Sequence, residues 1–243
     1  KFDIAHGDTL TDPKHWNDEP FDAIVSNPPY SIHWEGDANP LLINDPRFSP
    51  AGVLAPKSKA DLAFTMHMLS WLSPRGTAAI VEFPGVLYRG GAEQKIRKYL
   101  IDNNYIDTVI QLPPDLFFGT SIATCIIVLK RSKNDNAILF IDASAEFVRG
   151  GNKNKLSEEN RNRILQAFIE RKDIPHFARL VLNEDIAEND YNIAVSSFVE
   201  QKNTTEAVDI EKLNAQIAEI VIRQNKLRTA IDEIVADLEG GDE

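Results

Sequence analysis

Four consecutive residues, Asn27-Pro28-Pro29-Tyr30, combine an amide, two rigid imino acids and an aromatic ring. They follow Phe21-Asp22-Ala23-Ile24-Val25-Ser26, an apolar run that reads as a short strand leaving on a polar residue. The Asn27 side chain offers a carbonyl oxygen. Each proline has a carbonyl, a fixed φ and no N–H, and the residue before a proline is pushed to extended backbone. The Asn27 amide oxygen and the Pro28 carbonyl can therefore be held as two preset acceptors. Both suit one planar –NH2 group, with the Tyr30 ring stacked on the plane that carries it. Such a geometry prepares an exocyclic amine to attack an electrophile. The same tetrapeptide also suits a plain turn or an extended recognition segment. Its position favours the chemical reading, because sites in open α/β sheets lie at the carboxyl ends of strands.

Other candidates for chemistry are few. His6, His33, His67 and His176 are scattered, and no His/Cys group has ligand spacing, so no metal is expected. His67 falls in a helical stretch and reads as structural. The single cysteine, Cys125, excludes an internal disulfide and fits a reducing cytoplasm. It sits in the apolar run Ile122 to Leu129, where buried packing is the expected role. A chain of 243 residues, 43% hydrophobic, accommodates one core domain plus an appendage. No apolar run is long enough to span a membrane. The net charge of −11 argues against a chain that grips DNA alone, since phosphate contacts need clustered Lys and Arg. Part of that acidity is local, with ten acids against four bases between Glu206 and Glu243. Were nucleic acid the substrate, another chain would supply much of the grip. The start at Lys1 rather than Met, with no signal peptide, suggests a fragment.

The elements that must position these residues follow from the pattern. From Lys1 to about Arg131 strand and helix signals alternate, which predicts a mainly parallel sheet with flanking helices. Strands are expected at Phe2–Ala5, Phe21–Ser26, Gly76–Phe83, Tyr105–Leu112, Ser121–Leu129 and Ala137–Ile141. Residues 31–57 form a long proline-rich loop of the kind that is usually functional. Ser58-Lys59-Ala60-Asp61 has the shape of a capping box opening a helix through Leu72. Ala92–Asn103 and Ser157–Glu170 read as further helices. Arg149–Lys155 reads as a solvated polar linker, with a basic phosphate contact as the less favoured alternative.

The tail is sharply patterned. Ile210, Leu213, Ile217, Ile220, Gln224, Leu227, Ile231, Ile234 and Leu238 alternate spacings of three and four. That is a heptad seam, and Gln224 is the polar member that fixes register. A helix packed on its own domain is the alternative. A partner helix is favoured because a two-position seam is narrower than a core-facing stripe.

Several segments together resemble the modification (M) subunit of type I restriction–modification systems, an S-adenosylmethionine-dependent N6-adenine DNA methyltransferase. The resemblance rests on Gly7-Asp8-Thr9-Leu10, on Asp22 through Tyr30, on Lys57 through Phe64, on Tyr88-Arg89-Gly90-Gly91-Ala92-Glu93, and on Leu116-Phe117-Phe118-Gly119-Thr120. It implies that Asn27 and Pro28 accept hydrogen bonds from the target adenine amine and that Tyr30 stacks on that base once flipped from the duplex. Asp8 would accept from the adenine amine of the S-adenosyl-L-methionine cofactor, and Pro29 would wall its pocket. Phe117 or Phe118 would supply a second aromatic; Phe118, beside Gly119, is preferred, the alternative being a loop-anchoring core residue. Two acceptors placed for a tetrahedral nitrogen would stabilise the charge that develops on a poorly nucleophilic amine. The implied partners are a specificity subunit, a second M subunit, a restriction subunit, and double-stranded DNA with a flipped adenine; no membrane is involved.

The implied fold is α/β: part of an S-adenosylmethionine-dependent, Rossmann-like sheet with flanking helices, then a helical region ending in a coiled-coil-type helix. Its expected organisation is residues 1–148 as the C-terminal part of the catalytic domain, 149–205 as a helical or irregular extension, and 206–243 as a helix for partner docking. The chain departs from the family pattern in lacking the Gly-rich cofactor loop and the helical N-terminal domain. In the family sheet order 3-2-1-4-5-7-6, residues 2–5 would be the third strand and 21–26 the fourth. A hole would lie between them, and Phe21–Ser26 would expose an unpaired edge. The pocket would be incomplete and the chain inactive alone. Two alternatives stand beside this reading: a non-catalytic fragment docking through its tail, and a protein glutamine methyltransferase, whose substrate amide also presents a planar –NH2.

Overall fold

A computed structural model describes residues 2–15, 19–201 and 210–239. The chain divides into two units, Lys1–Gln201 and Lys202–Glu243. The first unit is built on a six-stranded sheet ordered β1-β2-β4-β3-β5-β8. These strands are β1 (Phe21–Ser26), β2 (Leu72–Glu82), β3 (Ile106–Gln111), β4 (Cys125–Lys130), β5 (Ala137–Asp142) and β8 (Ala178–Leu182). Around them lie α1 (Pro40–Ile43), α2 (Asp61–Trp71), α3 (Ala92–Asp102), α4 (Glu158–Glu170) and α5 (Asn183–Glu188). A separate hairpin pairs β6 (Val148–Gly150) with β7 (Lys153–Lys155).

The sheet is mixed, not mainly parallel. β1 with β2 and β3 with β5 run parallel, whereas β4 is antiparallel to both its neighbours and β8 is antiparallel to β5. The loop that returns the chain from β3 into β4 carries no helix to make a crossover, and β4 is laid antiparallel between β3 and β2. The order β1-β2-β4-β3 is the 4-5-7-6 half of the family sheet expected above.

Central strands are buried on both faces and read as continuous apolar runs. Every residue of β5, Ala-Ile-Leu-Phe-Ile-Asp, is buried. β1 differs. Val25 remains 86% exposed, and among the described residues no strand pairs with the outer side of β1. The expected strand at Phe2–Ala5 does not form. Those residues are exposed and outside any ladder, so there is no hole between two strands but an open edge.

Helix α2 is apolar nearly all round because it is buried nearly all round. Its start departs from expectation. Ala60 occupies the cap with no side-chain hydrogen bond, so Ser58–Asp61 is not a capping box. Asp61 Oδ1 instead accepts the Ser31 N–H at 2.8 Å. Among the described residues a capping box is formed by Ser157 and Asn160, opening α4. The region expected as an extension from residue 149 to 205 contributes β8 to the main sheet, so the first unit runs on to Gln201. Arg149–Lys155 is a structured hairpin and not a solvated linker.

The second unit carries α6 (Ile210–Glu239), a single helix of 30 residues. Along it Leu213, Ile217, Ile220, Leu227, Ile231 and Ile234 are exposed, as is Gln224. Val221 and Val235 widen the apolar stripe beyond the two-position seam. The side chains of Ile210 and Leu238, the ends of the expected seam, lie outside those described.

Candidate functional site

β1 carries the chain to the carboxyl end of the sheet and releases it at Ser26, which pairs with Ile80 of β2. The tetrapeptide Asn27–Tyr30 therefore sits level with the end of β2, where Glu82 pairs with Cys125 of β4. Asn27 is exposed, Pro28 buried, Pro29 exposed and Tyr30 half-buried. The Tyr30 hydroxyl donates to Asn27 Oδ1 at 2.7 Å. That bond takes one of the two lone pairs on the amide oxygen and leaves the other available. It also orients the amide, so that acceptor and ring form one rigid unit. Among the described residues no donor takes the Pro28 carbonyl.

The turn after Tyr30 is pinned. Ser31 adopts φ 50, a left-handed conformation uncommon for a residue with a side chain. The bond from its N–H to Asp61, at the start of α2, holds it there. Behind the motif, Glu82 is fully buried and Thr65 Oγ1 donates to its Oε1 at 2.8 Å. Burial pushes the Glu82 carboxyl up to about 8; the Thr65 hydrogen bond opposes this, and the Asp61 and Glu93 carboxylates add to it. Burial also raises the Tyr30 phenol, with Glu82 and Cys125 adding to the effect. A neutral acid thus lies behind the half-buried ring. Glu82 was not among the residues singled out from sequence, and Asp61 was read there only as the last residue of a capping box. An acid inside the apolar run Gly76–Phe83 was the available signal for Glu82, and membership of the Lys57–Phe64 segment was the signal for Asp61.

Phe118 is 96% exposed beside Gly119, which has φ +78. Phe117 packs against the cluster formed by Ile110, Leu112 and Leu139. Phe117 is turned to the core, and the Phe118 ring faces solvent.

Asp8 is used locally. Its Oδ1 accepts from Leu10 N at 2.9 Å and weakly from Thr11 N, closing a turn. Arg47 holds that turn onto α2, donating to the carbonyls of Thr9 at 3.0 Å and Leu10 at 2.7 Å while contacting His67. Burial and Arg47 depress His67 to about 4, so this histidine is neutral and structural. Asp8 makes no hydrogen bond or ion pair with Asn27–Tyr30. A mostly apolar cleft of about 400 Å³, lined by Phe48, Val53, Leu54, Lys57 and Ala92 among others, contains none of Asp8, Asn27, Pro28 or Tyr30. Among the described residues no group of three or more His, Cys, Asp or Glu is placed to hold a metal. No described helix is long and apolar enough to cross a membrane.

Residues 1–207 match the N-6 DNA Methylase family. The chain belongs to that family. Among curated methylase relatives, the MpnII type I restriction enzyme methylase subunit of Mycoplasma pneumoniae is 48% identical over 98% of this chain and 45% of its own length. The MjaVII methylase subunit of Methanocaldococcus jannaschii is 32% identical over 99% of this chain and 42% of its own. The chain thus spans about half the length of the curated methylases it matches. A type I restriction–modification methyltransferase subunit from Streptococcus thermophilus superposes with a TM-score of 0.76 at 46% identity, covering 79% of this chain and 41% of that one. The EcoKI M protein, 17% identical with a TM-score of 0.59, shares the fold. Within the methylase fold the open edge of β1 and the motif that follows it lie together.

Proposed function

We propose that this chain forms the amine-binding part of a type I, adenine-specific DNA methyltransferase. The observation that carries the reading is the Asn27–Tyr30 unit: an exposed amide oxygen oriented by its neighbouring phenol, at the carboxyl end of the edge strand. The second lone pair of Asn27 Oδ1 and the Pro28 carbonyl accept the two protons of the adenine N6 amine. That geometry favours a tetrahedral nitrogen and stabilises the positive charge that grows on it. Tyr30 stacks on one side of the extruded base, and Phe118 supplies the second aromatic surface. Glu82, neutral behind Tyr30, adds no charge that would compete for the amine.

S-adenosylmethionine, when bound, supplies an electrophilic methyl group. The residues present fit one side of such a cofactor. Asp8 is an exposed carboxylate in a rigid turn, and Pro29 is an exposed ring beside the acceptor pair. An enclosing wall would have to come from beyond β1, where the sheet edge is open. Recognition of a DNA sequence falls to a specificity subunit, in an assembly that also includes a second M subunit and a restriction subunit. The exposed stripe of α6 is the surface for docking a partner helix.

The decisive experiment is Asn27→Ala in the full-length methylase assembled with its specificity subunit. Transfer of labelled methyl to duplex DNA should fall by at least about a hundredfold, as when a preorganised charge-stabilising group is removed. Cofactor affinity should stay within about twofold, within the scatter of surface substitutions. Equal loss of both would make Asn27 a structural residue and end the reading.

A further inference from the structure

Phe118 stands at the tip of the loop that runs from Leu112 to Thr124. Leu112 N donates to Thr124 O at 2.9 Å at its base and Phe117 packs against the core, but nearer the tip the bond from Asp115 N to Ser121 O is long, at 3.3 Å. A ring that must meet a flipped base needs a better-defined height. The β6–β7 hairpin supplies the missing restraints. Lys153 Nζ donates to the carbonyls of both Phe117 and Thr120, each at 3.0 Å. Those two carbonyls flank Phe118 and Gly119, so one ammonium spans the tip. Asn154, 4% exposed, donates from Nδ2 to Pro114 O at 2.9 Å and from its backbone N–H to Asp115 O at 3.1 Å. Arg149 donates to Asn154 Oδ1 at 3.0 Å and lies 3.6 Å from Asp115, bracing the hairpin itself.

We propose that the β6–β7 hairpin is a clamp that sets the position of Phe118, with Lys153 and Asn154 as positioning residues for the target base. The proposal rests on the reading of Phe118 as a stacking residue. The chemistry explains the residue types. Backbone carbonyls at a loop tip need donors, and an ammonium carries three in a compact head. Hydrogen bonds to a charged donor are about twice as strong as neutral ones. Asn154, buried, pairs with the loop's base through side chain and backbone together. A clamp on the neck and a strap at the tip leave the Phe118 ring outside, free of protein neighbours.

The test uses the full-length methylase with its specificity subunit and a duplex carrying 2-aminopurine at the target adenine. Stacking on an aromatic ring shortens the fluorescence lifetime of that probe. Phe118→Ala should lengthen the lifetime and lower kcat/KM for DNA about tenfold or more, the scale of one lost base–aromatic stack. Lys153→Met should do the same to within a few fold, because a misplacement of about 1 Å is enough to lose a positioned contact. Combined, the two substitutions should be no worse than Phe118→Ala alone, and cofactor affinity should not move. Lys153→Gln keeps a neutral –NH2 donor on a shorter stem and should fall between wild type and Lys153→Met, which keeps the test open should the methionine variant fold poorly. Additive losses, or a Lys153 effect with an unchanged lifetime, overturn the clamp while leaving Phe118 as a stacking residue. An unchanged lifetime in Phe118→Ala overturns both.

Discussion

The hydroxyl of Tyr30 and the amide of Asn27 form one device, and substitutions can take it apart. Tyr30→Phe removes the bond to Asn27 Oδ1 but keeps the ring. Methyl transfer by the full-length enzyme should fall by less than about tenfold, since a neutral hydrogen bond contributes about 1 kcal/mol. Tyr30→Ala also removes the stack, which adds about 1–3 kcal/mol, so single-turnover rates should separate the two variants clearly. Equal rates would mean the ring does not touch the base. Glu82 provides a test by pH. Its carboxyl is raised to about 8 in the folded state, mainly by burial. The folded chain therefore keeps a proton that the unfolded chain releases once pH passes the ordinary carboxylate range. This contribution is complete at acid pH and is lost as pH rises towards 8. Glu82→Gln, which can still accept from Thr65, should flatten the fall in urea midpoint between about pH 5.5 and about pH 8. An unaltered slope would show that Glu82 is ionised throughout.

At the scale of elements, α6 separates a patterned stripe from its use. Leu213 and Ile231 are both exposed on it. Placing aspartate at both would bury charge without a counterpart in any helical interface. The double variant Leu213→Asp with Ile231→Asp should lose association with partner subunits in size-exclusion chromatography, while the first unit keeps its thermal midpoint. Retained association would assign docking to another surface. The elements legible in the sequence were those whose signal is local. The apolar run at Ala137–Ile141 became β5 within a residue. Ser157–Glu170 became α4, its capping residue included. Where the outcome depended on a distant neighbour, the sequence pattern misled. Phe2–Ala5 alternates like a strand, but among the described residues no ladder receives it. Residues 178–182 carry a weaker signal, but β5 offers them an edge and they form β8.

At the scale of the whole molecule, the outer edge of β1 is the feature that most shapes behaviour. An exposed strand edge with Val25 turned to solvent is a template for further pairing. In the 243-residue chain, Val25→Asp should change stability by no more than about 0.5 kcal/mol, as for any open surface site. In the full-length methylase the same substitution should be clearly destabilising and should weaken cofactor binding, because the edge would then be covered by the rest of the sheet. Equal, small effects in both would mean that β1 remains an edge throughout.

The tetrapeptide, its place at a strand end and the helical tail were all readable from residue types and short spacings, because backbone restriction by proline and helical periodicity act over a few residues. The tertiary structure alone decided which of Phe117 and Phe118 faces outward, that Asp61 pins the turn at Ser31 from thirty residues away, and that Lys153 straps a loop more than thirty residues upstream. Each of those depends on burial and on pairing between distant segments. Neither is encoded in local pattern, since a carbonyl or a carboxylate finds its partner only after the sheet has brought segments distant in sequence together.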